Sequence, residues 1–233
     1  MTIINAEPVI RDEGDYLYIA DNILKHYLRN VYFFCGTACG GKTTISKVFA
    51  EKHGMLWLNE DTLNKQMASI AEPKYQPAWC SRPTDWEAYF GRPYKEYHQW
   101  LSDCGDEMLP MELMELIRLS GNQNVAIDMY NMPPNTALAL TEPNRIVFLV
   151  TSPERLVREY YNRPDHRDIY DCIMGLRNPE AALKNCNRTL AYGCQMFLDE
   201  LYQSGMYYIM RDENSTVENT LRMVERHFGM SAE

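Results

Sequence analysis

Apolar residues along this chain gather in short continuous runs instead of alternating with polar ones. Five runs, Val31 to Cys35, Met55 to Leu58, Val125 to Asp128, Ile146 to Val150 and Met206 to Met210, read as strands covered on both faces. Helical periodicity fills the gaps. Ile45, Val48 and Phe49 share one face of a helix over Lys42 to Lys52, which His53-Gly54 stops. Ser152-Pro153-Glu154 opens another helix, with Ser as N-cap and Pro at the first position. Ser215 and Glu218 have capping-box spacing ahead of a Val217, Leu221, Val224 stripe. Ile19, Ile23, Leu24, Tyr27 and Leu28 predict an amphipathic helix before the first strand. Strand and helix therefore alternate, which predicts an α/β fold with a doubly wound parallel sheet in three layers.

Two excursions interrupt the alternation, 61–124 and 152–204. The first is rich in aromatic residues, among them Tyr75, Trp79, Trp86, Tyr89, Phe90, Tyr94, Tyr97 and Trp100; the second holds an Arg-rich segment, Arg155 to Arg177. Functional insertions belong in such places. With 233 residues the chain reads as one domain, 1–233, with residues 1–30 as an N-terminal extension.

The net charge of −9 argues against nucleic acid as the main partner, since neutralising backbone phosphates takes an excess of Lys and Arg. No apolar stretch approaches the roughly 20 residues of a membrane helix. Glu7, Arg11, Asp12 and Glu13 break up any signal-peptide core, so a cytoplasmic protein is expected. Seven cysteines without a C-x-x-C pair suit neither a zinc ribbon nor a disulfide framework and read as reduced thiols.

The candidate chemistry begins directly behind the first strand. Gly36-Thr37-Ala38-Cys39-Gly40-Gly41-Lys42-Thr43 satisfies G-x-x-x-x-G-K-[ST] between a strand and a helix, the context a phosphate-binding loop requires. Glycines let backbone N–H groups curl around phosphate, and the helix N-terminus, which includes Thr44, adds its positive dipole end. Lys42 is expected to bridge the β- and γ-phosphates of ATP, with the Thr43 hydroxyl on Mg²⁺. Cys39 beside Lys42 reads in two ways: a thiol of lowered pKa, open to oxidation, or a small residue turned away.

Carboxylates stand at the strand ends, beyond which ligands bind in open α/β sheets. Asp61 follows the second strand and is expected to orient or deprotonate an acceptor hydroxyl; Glu60 competes for that role, and the plainer use of Asp61 is as N-cap of a helix starting at Thr62. Asp128 closes Val125-Ala126-Ile127-Asp128, where it would hold Mg²⁺, face the acceptor or start a turn. Arg155, Arg158, Arg163 and Arg167 around Pro164 read as a mobile lid for a developing phosphoryl charge, or as a salt-bridged surface with Asp165, Asp168 and Asp171. Most rings of the first excursion read as a mini-core, with Arg82 the best candidate there for an anionic group on the acceptor.

With these features placed, residues 31–229 resemble the nucleoside monophosphate kinase superfamily, which includes shikimate, gluconate and antibiotic kinases. The resemblance implies a five-stranded parallel sheet of order 2-3-1-4-5, a substrate-binding insertion after strand two and a lid after strand four. It also implies that Arg211 to Thr216 packs on the adenine and that the lid carries an arginine pair. Arg158 and Arg163 are the nearest pair, one residue further apart than Arg-x-x-x-Arg.

These readings converge on a small-molecule kinase that moves the γ-phosphoryl of ATP, with Mg²⁺, to a small-molecule acceptor, a hydroxyl in preference to a phosphate. The alternatives are a nucleotide-binding regulatory ATPase without an acceptor and a nucleic-acid end kinase.

Overall fold

The computed structural model describes residues 19–81, 85–130 and 132–230. Side-chain alternation along each strand explains why the apolar runs are continuous. In β1 (Val31–Cys35), Val31, Phe33 and Cys35 enter one core while Tyr32 and Phe34 enter the other. In β4 (Ile146–Val150) the same division sends Ile146, Phe148 and Val150 one way and Val147 and Leu149 the other. A strand whose two faces are both buried has no polar face to show.

With β2 (Leu56–Asn59), β3 (Val125–Asp128) and β5 (Tyr208–Met210), these strands form one parallel sheet of order β2-β3-β1-β4-β5. The doubly wound three-layer class and the 2-3-1-4-5 order expected from the sequence are therefore those of the molecule. β1, β3 and β4 have the expected bounds. Met55 instead bonds back to Ala50 in the turn before β2, and β5 starts two residues late, within the usual fraying of an edge element.

Helices α2 (Lys42–Lys52) and α11 (Val217–His227) cover one face, where Phe49 and Phe228 meet edge to face at 5.4 Å between ring centres. The other face is covered by α1 (Asp21–Tyr27), α6 (Tyr94–Ser120), α7 (Pro134–Leu140), α8 (Pro153–Glu159) and α10 (Pro179–Ser204). Ser152 caps α8 by accepting from Arg155 N–H. The cap of α11 is Thr216, not Ser215: Thr216 Oγ1 accepts from Asn219 N–H at 3.2 Å, while Ser215 donates to Asp212. The stripe on α1 is narrower than expected. Leu24 and Leu28 reach the core, but Ile23 and Tyr27 stay exposed.

The first excursion folds as α3 (Glu60–Met67), α4 (Pro77–Cys80), α5 (Trp86–Phe90) and α6. α6 runs 27 residues through Gly105 and Pro110, neither of which favours helix. It persists because Cys104, Met108, Leu109 and Leu116 give it a buried stripe at helical spacing. Phe90 and Tyr97, with Tyr89 and Trp100, join Ile173 of α9 (Arg167–Met174) and Cys186 of α10 in a satellite core. The aromatic insertion is thus packed onto the elements that follow β4. Among the described residues no helix is long and apolar enough to cross a membrane.

Candidate active site

The phosphate loop is pressed onto β4. A Cβ added at Gly36 or Gly40 would lie 2.3 or 2.2 Å from the Leu149 carbonyl oxygen, a backbone atom that cannot step aside. Thr37, buried, is tied to the same place: its Oγ1 accepts from Thr151 N–H at 2.9 Å. Cys39 takes a positive φ of 59° and Gly41 one of 95°, and this left-handed pair curls the loop into the start of α2. Gly40→Ala is therefore expected to push the loop off β4 and to cost about 1–3 kcal/mol, read as a lowered melting temperature together with lost triphosphate binding.

The loop ends at a helix N-terminus that no side chain caps. Gly41, the N-cap of α2, offers no side-chain cap, so the first N–H groups of the helix, around Thr43 and Thr44, remain for a ligand. Ala38 is half-buried between them and Gly36. Lys42 is buried, and its Nζ donates to the Thr37 carbonyl at 2.8 Å. Burial pushes the Lys42 ammonium below its ordinary pKa, while Asp128 and Glu60 pull it back up. The Tyr130 ring lies 5.4 Å from Nζ. Thr43 Oγ1 donates to Asp128 Oδ2 at 2.5 Å, and Asn59 Nδ2 donates to the same oxygen at 3.1 Å. Thr43 and Asp128 thus offer hard oxygen donors side by side next to the helix N-terminus. That donor set fits Mg²⁺ completed by phosphate oxygens, and among the described residues no cluster of three His, Cys, Asp or Glu side chains could hold a metal alone.

The carboxylates after β2 divide differently from expectation. α3 begins at Glu60, and its N-cap is Asn59, whose Oδ1 accepts from Asp61 N–H at 3.0 Å. Asp61 is therefore not a cap. It is exposed in the first turn, within electrostatic reach of His166 in the turn before α9. Glu60 is buried and accepts from Tyr130 N–H. Glu112 of α6 is fully buried behind it, its carboxyl oxygens making no well-formed hydrogen bond and having Asn64 as the polar neighbour that favours the charged form. Burial, with Glu60 and then Asp61 adding repulsion, pushes its pKa up to about 9.

The arginines occupy three settings. Arg163 pairs with Asp165 and approaches Cys39 and Lys42. Arg158 pairs with Glu213 at 2.9 Å, and Arg167 with Asp171 at 3.2 Å while stacking on Tyr170. Arg211 donates from one Nη1 to the Cys39 carbonyl at 2.7 Å and to Glu159 at 3.1 Å, joining phosphate loop and α8. Arg188, at the far end of the second excursion, stacks on Tyr94. Arg82 lies outside the described residues. Cys39 is buried, and desolvation raises its thiol pKa, which corrects the lowered-pKa alternative.

Sequence reasoning missed two members of this constellation. Asn59 was hidden because strand-end amides look like turn formers. Tyr130 was hidden because its contact with Lys42 joins residues 88 positions apart, although its place two residues after Asp128 is the signal that points to it.

No protein-family model matches the chain. No curated protein matches it either. Among solved structures, the chain is similar to a shikimate kinase from Acinetobacter baumannii in complex with shikimate, at 16% identity and a TM-score of 0.41, over 84% of this chain and 93% of that one. The sheet order, and the loop between β1 and α2, define a P-loop α/β fold on the chain's own geometry.

Proposed function

We propose that this chain is an ATP- and Mg²⁺-dependent phosphotransferase acting on a hydroxyl of a small molecule. The observation that carries the proposal is the buried Lys42 beside the uncapped N-terminus of α2, with the Thr43–Asp128 pair next to it. A loop, a cation and a metal-binding oxygen pair in one place suit the triphosphate of a nucleotide.

In this reading Gly36 to Thr44 hold the phosphates, Lys42 and Arg163 neutralise charge on the transferring group, and Thr43 and Asp128 hold Mg²⁺. The metal, when bound, supplies further neutralisation of phosphate charge. Asp61, exposed in the first turn of α3, orients the acceptor hydroxyl in this reading. The acceptor oxygen forms the new bond to the γ-phosphorus as the bond to the bridging oxygen breaks. The electron pair leaves with the nucleoside diphosphate, and the hydroxyl proton passes to Asp61. Arg158 and Arg167, held by Glu213 and Asp171, would have to exchange these surface partners for phosphate when the lid closes. Exposed pairs of this kind are worth only about 0–1 kcal/mol, so exchange is cheap. Arg211 fixes the loop and the nucleotide's base side.

The test is ATP consumption measured against a panel of sugars, nucleosides and amino alcohols. Consumption that depends on one acceptor class supports the phosphotransferase. Equal hydrolysis with and without every acceptor supports a regulatory ATPase instead.

A further inference from the structure

A cavity of about 220 Å³ opens between α6 and α10, with Gly36, Thr37 and Tyr130 forming its inner end. That end adjoins the phosphate site, because the Thr37 carbonyl accepts from Lys42 and Tyr130 lies against the same ammonium. The volume falls below the about 300–1,000 Å³ typical of pockets for drug-sized ligands and suits a smaller molecule. Leu101, Leu190 and Phe197 make its walls apolar.

The charges in this lining have one sign. Asp106, exposed at the rim, comes from α6 and the half-buried Glu200 from α10, so two carboxylates come from two separate helices, and no Lys or Arg is among the described lining residues. Neither carboxylate is in an ion pair with a described residue. Glu200 accepts only a long 3.5 Å contact from Asn135 N–H. Desolvation and the nearby Asp103 raise the pKa of Asp106, as happens to a carboxylate lacking a counter-charge. Desolvation also lowers the pKa of His98, so the imidazole in the lining adds no positive charge at neutral pH. Gly193 of α10 admits the His98 ring, since a Cβ there would lie 2.7 Å from Nδ1, and the two helices can cross closely over the cavity.

We infer that the cavity is the acceptor site and that it selects a small hydroxylated organic amine. The protonated nitrogen is recognised by Asp106 and Glu200, the apolar body lies on Leu101, Leu190 and Phe197, and the hydroxyl leaves the inner end past Tyr130, whose ring meets Lys42 and whose N–H is bonded to Glu60 next to Asp61. An anionic acceptor, such as a sugar phosphate or a carboxylic acid, would meet two carboxylates and no base. This inference rests on the phosphotransferase reading for the word acceptor, but the selectivity of the cavity can be measured without turnover.

Calorimetric titration of the full chain, holding a non-hydrolysable ATP analogue and Mg²⁺, would use tyramine against tyrosol, and glucosamine against glucose and glucuronate. At least one amine is expected to bind about tenfold tighter than its neutral partner, with glucuronate weakest. Asp106→Asn and Glu200→Gln should each remove about tenfold of the amine's affinity while leaving the neutral partner's binding and the melting temperature unchanged. Asp199→Asn alters charge equally on α10 but does not line the cavity, and should change nothing. Equal binding of amine and neutral partner, preference for glucuronate, or no binding by any of the five overturns the inference. ATP consumption with a neutral or anionic acceptor alone also overturns it, and leaves the phosphotransferase reading intact. Amine binding that depends on Asp106 and Glu200 without acceptor-dependent ATP consumption supports the cavity's selectivity and retires the phosphotransferase reading.

Discussion

Replacing Lys42 with methionine is expected to lower acceptor-dependent turnover by about a thousandfold or more, while the circular dichroism of the α/β fold is retained. The side chain is nearly the same length, so the space under the Thr37 carbonyl stays filled. What is lost is the ammonium on which Asp128 and Glu60 act at the end of the sheet. Two effects on stability oppose each other. The desolvation cost of a buried cation disappears, whereas two carboxylates lose their counter-charge. A melting temperature within a few degrees of the parent, combined with lost turnover and weakened ATP binding, is the expected pair of results. Full activity in this variant sinks the assignment of the loop.

The second large effect concerns Glu112 and stability. In the unfolded chain this carboxyl ionises near 4.5; in the folded protein its pKa is pushed up to about 9. A raised native pKa means that the folded state holds a proton which the unfolded state releases between these two values. Its stabilising contribution is complete below about pH 4.5 and is progressively lost as pH rises toward 9. Glu60 and Asp61, the acidic groups acting on it, keep the sign the same, because both resist a further negative charge. Glu112→Gln keeps the shape and removes the titration. The variant should match the parent near pH 5 and exceed it at pH 8 by about 2–4 kcal/mol. A series of melting curves from pH 5 to 9 reads this directly. Parallel curves for the two proteins would show that Glu112 is ionised in the folded state.

Much of the fold was legible because a parallel sheet leaves a plain mark: β1 and β4 are apolar along their whole length and β3 is apolar up to Asp128, and the phosphate loop is contiguous in sequence. The site was legible where its parts lie next to one another along the chain, as Lys42 and Thr43 do, or at a strand end, as Asp128 does. It was illegible where packing decides. The surroundings of Asp61 and Glu60 turn on where α3 starts: it begins at Glu60 instead of Thr62, which puts Asp61 in solvent and Glu60 in the core. α6 was obscured by Gly105 and Pro110, whose local preferences are overridden by its buried stripe. The cavity between α6 and α10 joins residues about 90 positions apart, such as His98 and Gly193, so no local pattern announces it.

The contact of Gly36 and Gly40 with Leu149 also settles which positions are free to change. The loop rests on the main chain of β4, while the Leu149 side chain points into the opposite core with Phe34 and Phe49. Any residue that keeps β4 extended presents the same carbonyl. The strand's side chains can therefore be remodelled for packing without moving the loop, whereas the two glycines have no substitute. Because Thr151 N–H is bonded to Thr37, the residue that follows β4 is tied to the loop as well, and the excursion over 152–204 departs from an anchored point.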